Sequence, residues 1–230
     1  MLKELENKKV IFFDMGYTLE APASGDWFHT KKFYEIVGDK INSVSKQELL
    51  KAKEIGTDWL EKHHICKTLN EEYEQFIVYY SMVSDLLKFN LTEKEIQTLA
   101  YDKTYNMDNY ILFDDAIEVL EVLSKQYKLG IISDTWPSIE GQLIKHGIKK
   151  YFATFTYSFD LGVFKPNQKM YLDALNKAKC KGEEAVFIDD GLINIEGAAK
   201  LGITPILITI NPESNVETKL TKIKSLSDLI

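Results

Sequence analysis

The sequence predicts a parallel α/β sheet flanked by helices and interrupted near its start by an all-helical insertion. Three observations predict it. The first apolar run, VIFFD at residues 10–14, ends on an acid. From about residue 112 onward, strand-like and helix-like segments alternate regularly, and between these regions residues 20–110 form charged amphipathic stretches with almost no strand pattern. Val10 to Phe13 are β-branched or aromatic with no polar alternation, the pattern of a strand covered on both faces.

The insertion reads as four helices, over residues 26–38, 46–63, 70–89 and 92–107. Thr92 with Glu95 is a capping box that fixes the start of the last one. The alternation that follows gives a helix over 114–127, a strand over 128–133, and a helix over 137–147 that stops at Gly147. It continues with a strand over 153–158, a helix over 167–178 after Pro166, and a strand over 185–190. A helix over 194–202 closed by Gly202 and a strand over 205–210 complete it. Residues 1–19 and 111–230 are thus expected to form one core, with residues 20–110 as a helical cap domain.

Composition narrows the classes. A formal charge of -7 and a pI near 5.2 disfavour binding to a phosphate backbone, so nucleic acid is not an expected partner. No apolar run approaches the length of a bilayer span, and the charged start MLKELENKKV lacks the apolar core of a secretory signal. Cys66 and Cys180 stand far apart without metal or redox spacing, which points to apolar packing and a cytoplasmic location. No membrane partner is expected, and the sequence does not specify an oligomeric state.

The chemistry gathers at strand ends. Asp14, then Ser133 with Asp134, then Asp189 with Asp190, each follow a predicted strand, and Lys165 lies in the loop GVFKPN. In a parallel sheet these ends share one edge, so distant residues can converge on one pocket. Carboxylates meeting there repel one another unless a cation joins them, and Mg²⁺ suits hard oxygen ligands.

With these residues the chain resembles the haloacid dehalogenase superfamily, specifically phosphatase-type members with a Rossmann-like core and a helical cap inserted after the first motif. DMGYTL matches that motif at Asp14 and Thr18, IISDT matches the second at Ser133, and FKP matches the third at Lys165. FIDDGLINIEGA matches the fourth at Asp189 and Asp190, with Asn194 where many members place another Asp. The resemblance implies a phosphatase of a small phosphorylated metabolite working through an aspartyl phosphate on Asp14. It also implies that Mg²⁺ is held by Asp14, Asp189, Asp190 and the backbone carbonyl of Gly16, with Ser133 and Lys165 contacting the phosphoryl group.

The departure is Gly16, where the family carries the Asp that protonates the leaving group. Only a carbonyl is needed there for metal binding, so Gly16 keeps that role and loses the acid. Tyr17, a cap residue or water remain as proton carriers, and an acidic leaving group needs none. Two alternatives stay open: a non-hydrolytic phosphate-binding or regulatory member, and a metal-independent 2-haloacid dehalogenase. A receiver-type signalling domain fits least, being shorter and without the insertion.

Outside the motifs, His63 and His64 read as surface residues. Trp27, His29, Lys31 and Lys32 are either substrate contacts or, for Trp27, packing of the insertion. Trp136 reads as a wall of the pocket, and Asp134 as a residue that shapes its loop.

Overall fold

The computed structural model describes residues 2–211, 214 and 216–230. In chain order the elements are β1 (Val10–Phe13), β2 (Glu20–Pro22), α1 (Lys31–Val37), α2 (Lys46–Lys62), α3 (Leu69–Leu86) and α4 (Glu93–Tyr105). There follow β3 (Tyr110–Leu112), α5 (Ala116–Ser124), β4 (Lys128–Ser133), α6 (Ile139–Lys145), β5 (Phe152–Tyr157) and α7 (Ser158–Leu161). The chain ends with α8 (Gln168–Ala178), β6 (Ala185–Asp189), α9 (Leu192–Ala199), β7 (Thr204–Ile208) and β8 (Thr221–Ile223).

Six strands form one sheet in the order β5-β4-β1-β6-β7-β8, and every pair in it is parallel. β1 lies between β4 and β6, and all four of its residues are buried, as its uninterrupted apolar sequence requires. Phe12, Ile132 and Phe187 from these strands pack with Met170, Tyr171 and Ala174 of α8 and Ile195 of α9. Gly147 and Gly202 have φ of 67° and 81°, the left-handed conformation in which a helix stops without a side-chain penalty.

The chain divides into two compact units. One comprises Met1–Ala21, Leu112–Thr135 and Leu143–Ile230, and holds the large sheet. The other comprises Pro22–Ile111 and Trp136–Gln142, and is helical. Its core is aromatic: Phe33, Phe76, Tyr79, Tyr80 and Phe89 are each almost wholly buried. α2 and α3 approach closely at Gly56, where an added Cβ would lie 2.6 Å from the Tyr79 ring. Three capping boxes, Ser45 with Glu48, Thr68 with Glu71 and Thr92 with Glu95, start α2, α3 and α4. No helix among the described residues is long and apolar enough to cross a membrane.

Several expectations differ in detail. The first inserted helix begins at Lys31, not near residue 26, because the Asp26 carboxylate accepts the N–H groups of Phe28 and His29 in a turn. Thr30 then caps α1 by accepting from Phe33 N–H. Strands β2, β3 and β8 have three residues each, too few to register as a pattern. Trp136–Gln142, expected in the core, groups instead with the helical unit, where the Trp136 ring packs on Phe28 and Phe76. His64, expected at the surface with His63, is buried edge-on against Trp136, while His63 is exposed.

Candidate active site

The parallel register sets Phe13 of β1 opposite Ile131 of β4 and Ile188 of β6. Ser133 and Asp189 end β4 and β6, and Asp14 follows β1 directly, its N–H donating to Ile188 carbonyl at 2.9 Å. Three neighbouring strands therefore deliver Asp14, Ser133 and Asp189 to one edge of the sheet. All three are buried.

Lys165 reaches this edge from the loop between α7 and α8. Its Nζ lies 2.7 Å from Asp14 Oδ1 and 2.7 Å from Asp189 Oδ2, and donates to the Ile132 carbonyl at 3.3 Å. Burial alone would lower the lysine, but the Asp14, Asp189 and Asp134 carboxylates outweigh it and hold the ammonium well above the ordinary lysine range. Its backbone is fixed as well, with Lys165 N–H donating to Asp134 Oδ1 at 3.0 Å. That contact fits the loop-shaping role expected of Asp134.

Asp14, Asp189 and Asp190 each offer an oxygen within 4.8 Å of the others. Burial pushes Asp14 up to about 8 against the pull of Lys165, with Asp189 and Asp190 raising it further. Burial and the neighbouring Asp189 push Asp190 up to about 6. A hard divalent cation would relieve this crowding of carboxylates, and the donor set fits one.

The two adjacent acids are not equivalent. Asp189 Oδ1 accepts from Gly191 N–H at 2.7 Å and Asn194 Nδ2 at 3.0 Å, while Oδ2 is held by Lys165. Gly191 makes room for this, since a Cβ there would lie 2.7 Å from Asn194 Nδ2. Asp190 accepts from Ser214 Oγ at 2.9 Å. Asp189 thus orients Lys165 and Asp190 has more capacity left for a ligand.

Gly16 lies in a tight loop. The Met15 carbonyl accepts from Thr18, Leu19 and Glu20 N–H groups, Tyr17 N–H donates to Glu20 carbonyl, and Gly16 bridges to Glu20. Tyr17 takes φ of 50°, uncommon for a residue with a side chain, so the loop holds a strained turn. Glu20 is buried with His146 Nε2 3.0 Å from its carboxylate, which anchors the loop's far end.

Among the other candidates, His29 is wholly buried with Tyr79 Oη 3.1 Å from its Nε2, and Trp27 stacks on Tyr110. Lys31 is exposed and Lys32 pairs with Glu35. No motif or periodicity singles out Ser214, which follows the strand predicted over 205–210. Asn194 stood out only as a substituted acid, not as a donor.

A parallel sheet with a lysine-bridged carboxylate cluster at its strand ends defines a Rossmann-like α/β core with its polar groups on one edge. The sequence profile described as haloacid dehalogenase-like hydrolase matches residues 37–208, and the chain belongs to that family. The matched span includes Ser133, Lys165, Asp189 and Asp190, and begins after Asp14 and Gly16.

A glyceraldehyde 3-phosphate phosphatase of Methanopyrus kandleri is 30% identical over 110 residues, 46% of this chain and 47% of that protein. The match thus spans about half the length of that relative. Among solved structures, a 2-haloacid dehalogenase from Pseudomonas syringae superimposes with a TM-score of 0.63 at 22% identity, over 96% of each chain. A phosphatase of the same superfamily from Thermococcus onnurineus gives 0.62 at 21% identity, over 96% of this chain and 95% of that one. At these identities the likeness shows the fold alone, and it extends equally to a dehalogenase and a phosphatase.

Proposed function

We propose that this chain is a Mg²⁺-dependent phosphomonoester hydrolase for a small phosphorylated metabolite. The observation that carries this reading is Lys165 held 2.7 Å from both Asp14 and Asp189, with Asp190 completing a three-carboxylate cluster. Asp14 would attack phosphorus through a carboxylate oxygen, breaking the ester P–O bond and forming an aspartyl phosphate. Water would then attack phosphorus, break the bond to Asp14 and release orthophosphate. Ser133 would donate to a phosphoryl oxygen, and Lys165 would offset the negative charge shared by Asp14 and the transferred group.

Asp14, Asp190, Asp189 and the Gly16 carbonyl would hold Mg²⁺, which when bound neutralises charge on the phosphoryl oxygens. Residues 20–110 would act as the cap that selects the substrate. The name of the Methanopyrus relative supports a phosphorylated three-carbon aldehyde as one substrate to try.

Gly16 brings no acid to the leaving oxygen, which favours substrates whose leaving group departs as a weak base, such as acyl, aryl or sugar-1-phosphates. Phosphate release across a metabolite panel, with and without Mg²⁺, tests the reading. Activity is expected only with metal, and Asp14→Asn should lower it about 10³-fold or more. Gly16→Asp should raise turnover of simple alkyl phosphates about 10²-fold. Metal-independent halide release from 2-haloacids would replace this reading with a dehalogenase. Accumulated phosphoprotein without turnover would replace it with the regulatory reading that the missing acid at Gly16 favours.

A further inference from the structure

The segment that follows Ser133 is held by a face of α3. Glu72, Gln75 and Phe76 lie at helical spacing on that face. Glu72 Oε2 accepts from Ser138 N–H at 2.7 Å, Gln75 Oε1 accepts from Trp136 Nε1 at 3.1 Å, and the Phe76 ring stands 5.8 Å from the Trp136 ring. Phe28 and His64 enclose the indole from other sides. On the near side of the segment, Thr135 N–H donates to Ser158 Oγ at 2.8 Å, and Asp134 accepts from Lys165 N–H. Ser133, which ends β4, is thus only three residues from the first of the α3 contacts.

Glu72 is a costly choice for this contact. Its side chain is fully buried, and its second oxygen, Oε1, finds no hydrogen-bond partner among the described residues. Burial raises its pKa to about 7, against the opposing pull of Lys103 and of the Ser138 bonds. A buried carboxylate with an unsatisfied oxygen costs stability, so its retention calls for a role beyond packing. Its Oε2 accepts from the backbone N–H of Ser138, in the segment leading from Ser133.

We propose that Glu72 is a positioning residue: by holding Ser138 N–H, with Gln75 and Phe76 holding Trp136, it fixes the segment that presents the Ser133 hydroxyl to a phosphoryl group. The proposal rests on the phosphatase reading above, since Ser133 acts there as a phosphoryl donor. It makes α3 a determinant of phosphate affinity through a backbone hydrogen bond, with Glu72 itself touching no substrate.

A double-mutant cycle on the full chain tests it, with inorganic phosphate as the competing ligand and p-nitrophenyl phosphate as the reporter. Glu72→Ala should raise KM and the inhibition constant of orthophosphate about tenfold, as Ser133→Ala does, and Glu72→Gln, which keeps an acceptor, should stay within about twofold of the wild type. The Glu72→Ala, Ser133→Ala double variant should be no weaker than Ser133→Ala alone. Gln75→Leu, at a half-buried position, should shift both constants about threefold in the same direction, and serves if Glu72→Ala does not fold.

Multiplying effects in the double variant, or an unchanged orthophosphate constant in an active Glu72→Ala or Gln75→Leu protein, would overturn the positioning role and leave the phosphatase reading standing. A wild-type protein that neither hydrolyses phosphomonoesters nor binds orthophosphate would overturn both.

Discussion

In the sheet unit, the Lys165 ammonium is buried between Asp14 and Asp189 at 2.7 Å from each. In the helical unit, Glu72, His29 and His64 are buried, and burial drives each toward its neutral form. Glu72 rises to about 7, while both histidines fall to about 4. The first arrangement keeps its lysine charged because carboxylates outweigh desolvation. The second lets desolvation dominate, because Asp26 offsets only part of it at His29 and Lys103 only part at Glu72. Neighbouring carboxylates thus outweigh desolvation at Lys165, whereas desolvation prevails at Glu72, His29 and His64.

The largest test of this contrast is Lys165→Met. It leaves Asp14 and Asp189 buried against one another without their cation, and is expected to cost about 3 to 5 kcal/mol in metal-free urea unfolding. A near-neutral result would show that the lysine contributes nothing to holding the carboxylates.

Glu72→Gln should act in the opposite sense. The folded protein binds the Glu72 proton more tightly than the unfolded chain, whose glutamate titrates near 4.5. The resulting stability is fully present below about pH 4.5 and is lost as pH rises through about 7. Between pH 4.5 and pH 8 the wild type should therefore lose about 3 kcal/mol that Glu72→Gln keeps. Parallel stability profiles for the two proteins would show Glu72 to be ionised as freely as a surface acid. Lys103 and Ser138 face Glu72.

The smallest effect belongs to His64→Phe. His64 binds its proton more weakly folded than unfolded, so its contribution is present above the ordinary histidine value of 6.5 and is lost as pH falls toward about 4. Replacing it should narrow the difference in stability between pH 7 and pH 4.5 by about 1 kcal/mol, read from denaturant midpoints at the two pH values. An unchanged difference would assign the acid sensitivity elsewhere, with His29 the next to replace.

The legible parts of the molecule are those in which local pattern and chemistry coincide. Asp14 and Asp189 were visible because a continuous apolar strand ends on each of them, and strand ends of a parallel sheet lie on one edge. Lys165 was visible from its loop and from the resemblance. His64 reads as exposed because it sits in a polar segment, and its packing against the Trp136 ring joins residues distant in sequence. Trp136 follows a core strand in sequence, while its indole packs against the aromatic cluster of the helical unit.

By itself the sequence determined the parallel α/β architecture, the family resemblance and the polar groups brought to the sheet edge, because strand and helix periodicities and strand-end residues are local properties. Tertiary structure decided the division of labour within the acidic pair. Asp189 is engaged by Lys165, Gly191 and Asn194, and Asp190 by Ser214. It also decided that Glu72 would hold the segment after Ser133. These contacts join residues far apart in sequence, where hydrogen-bond geometry and desolvation depend on packing that no local pattern records.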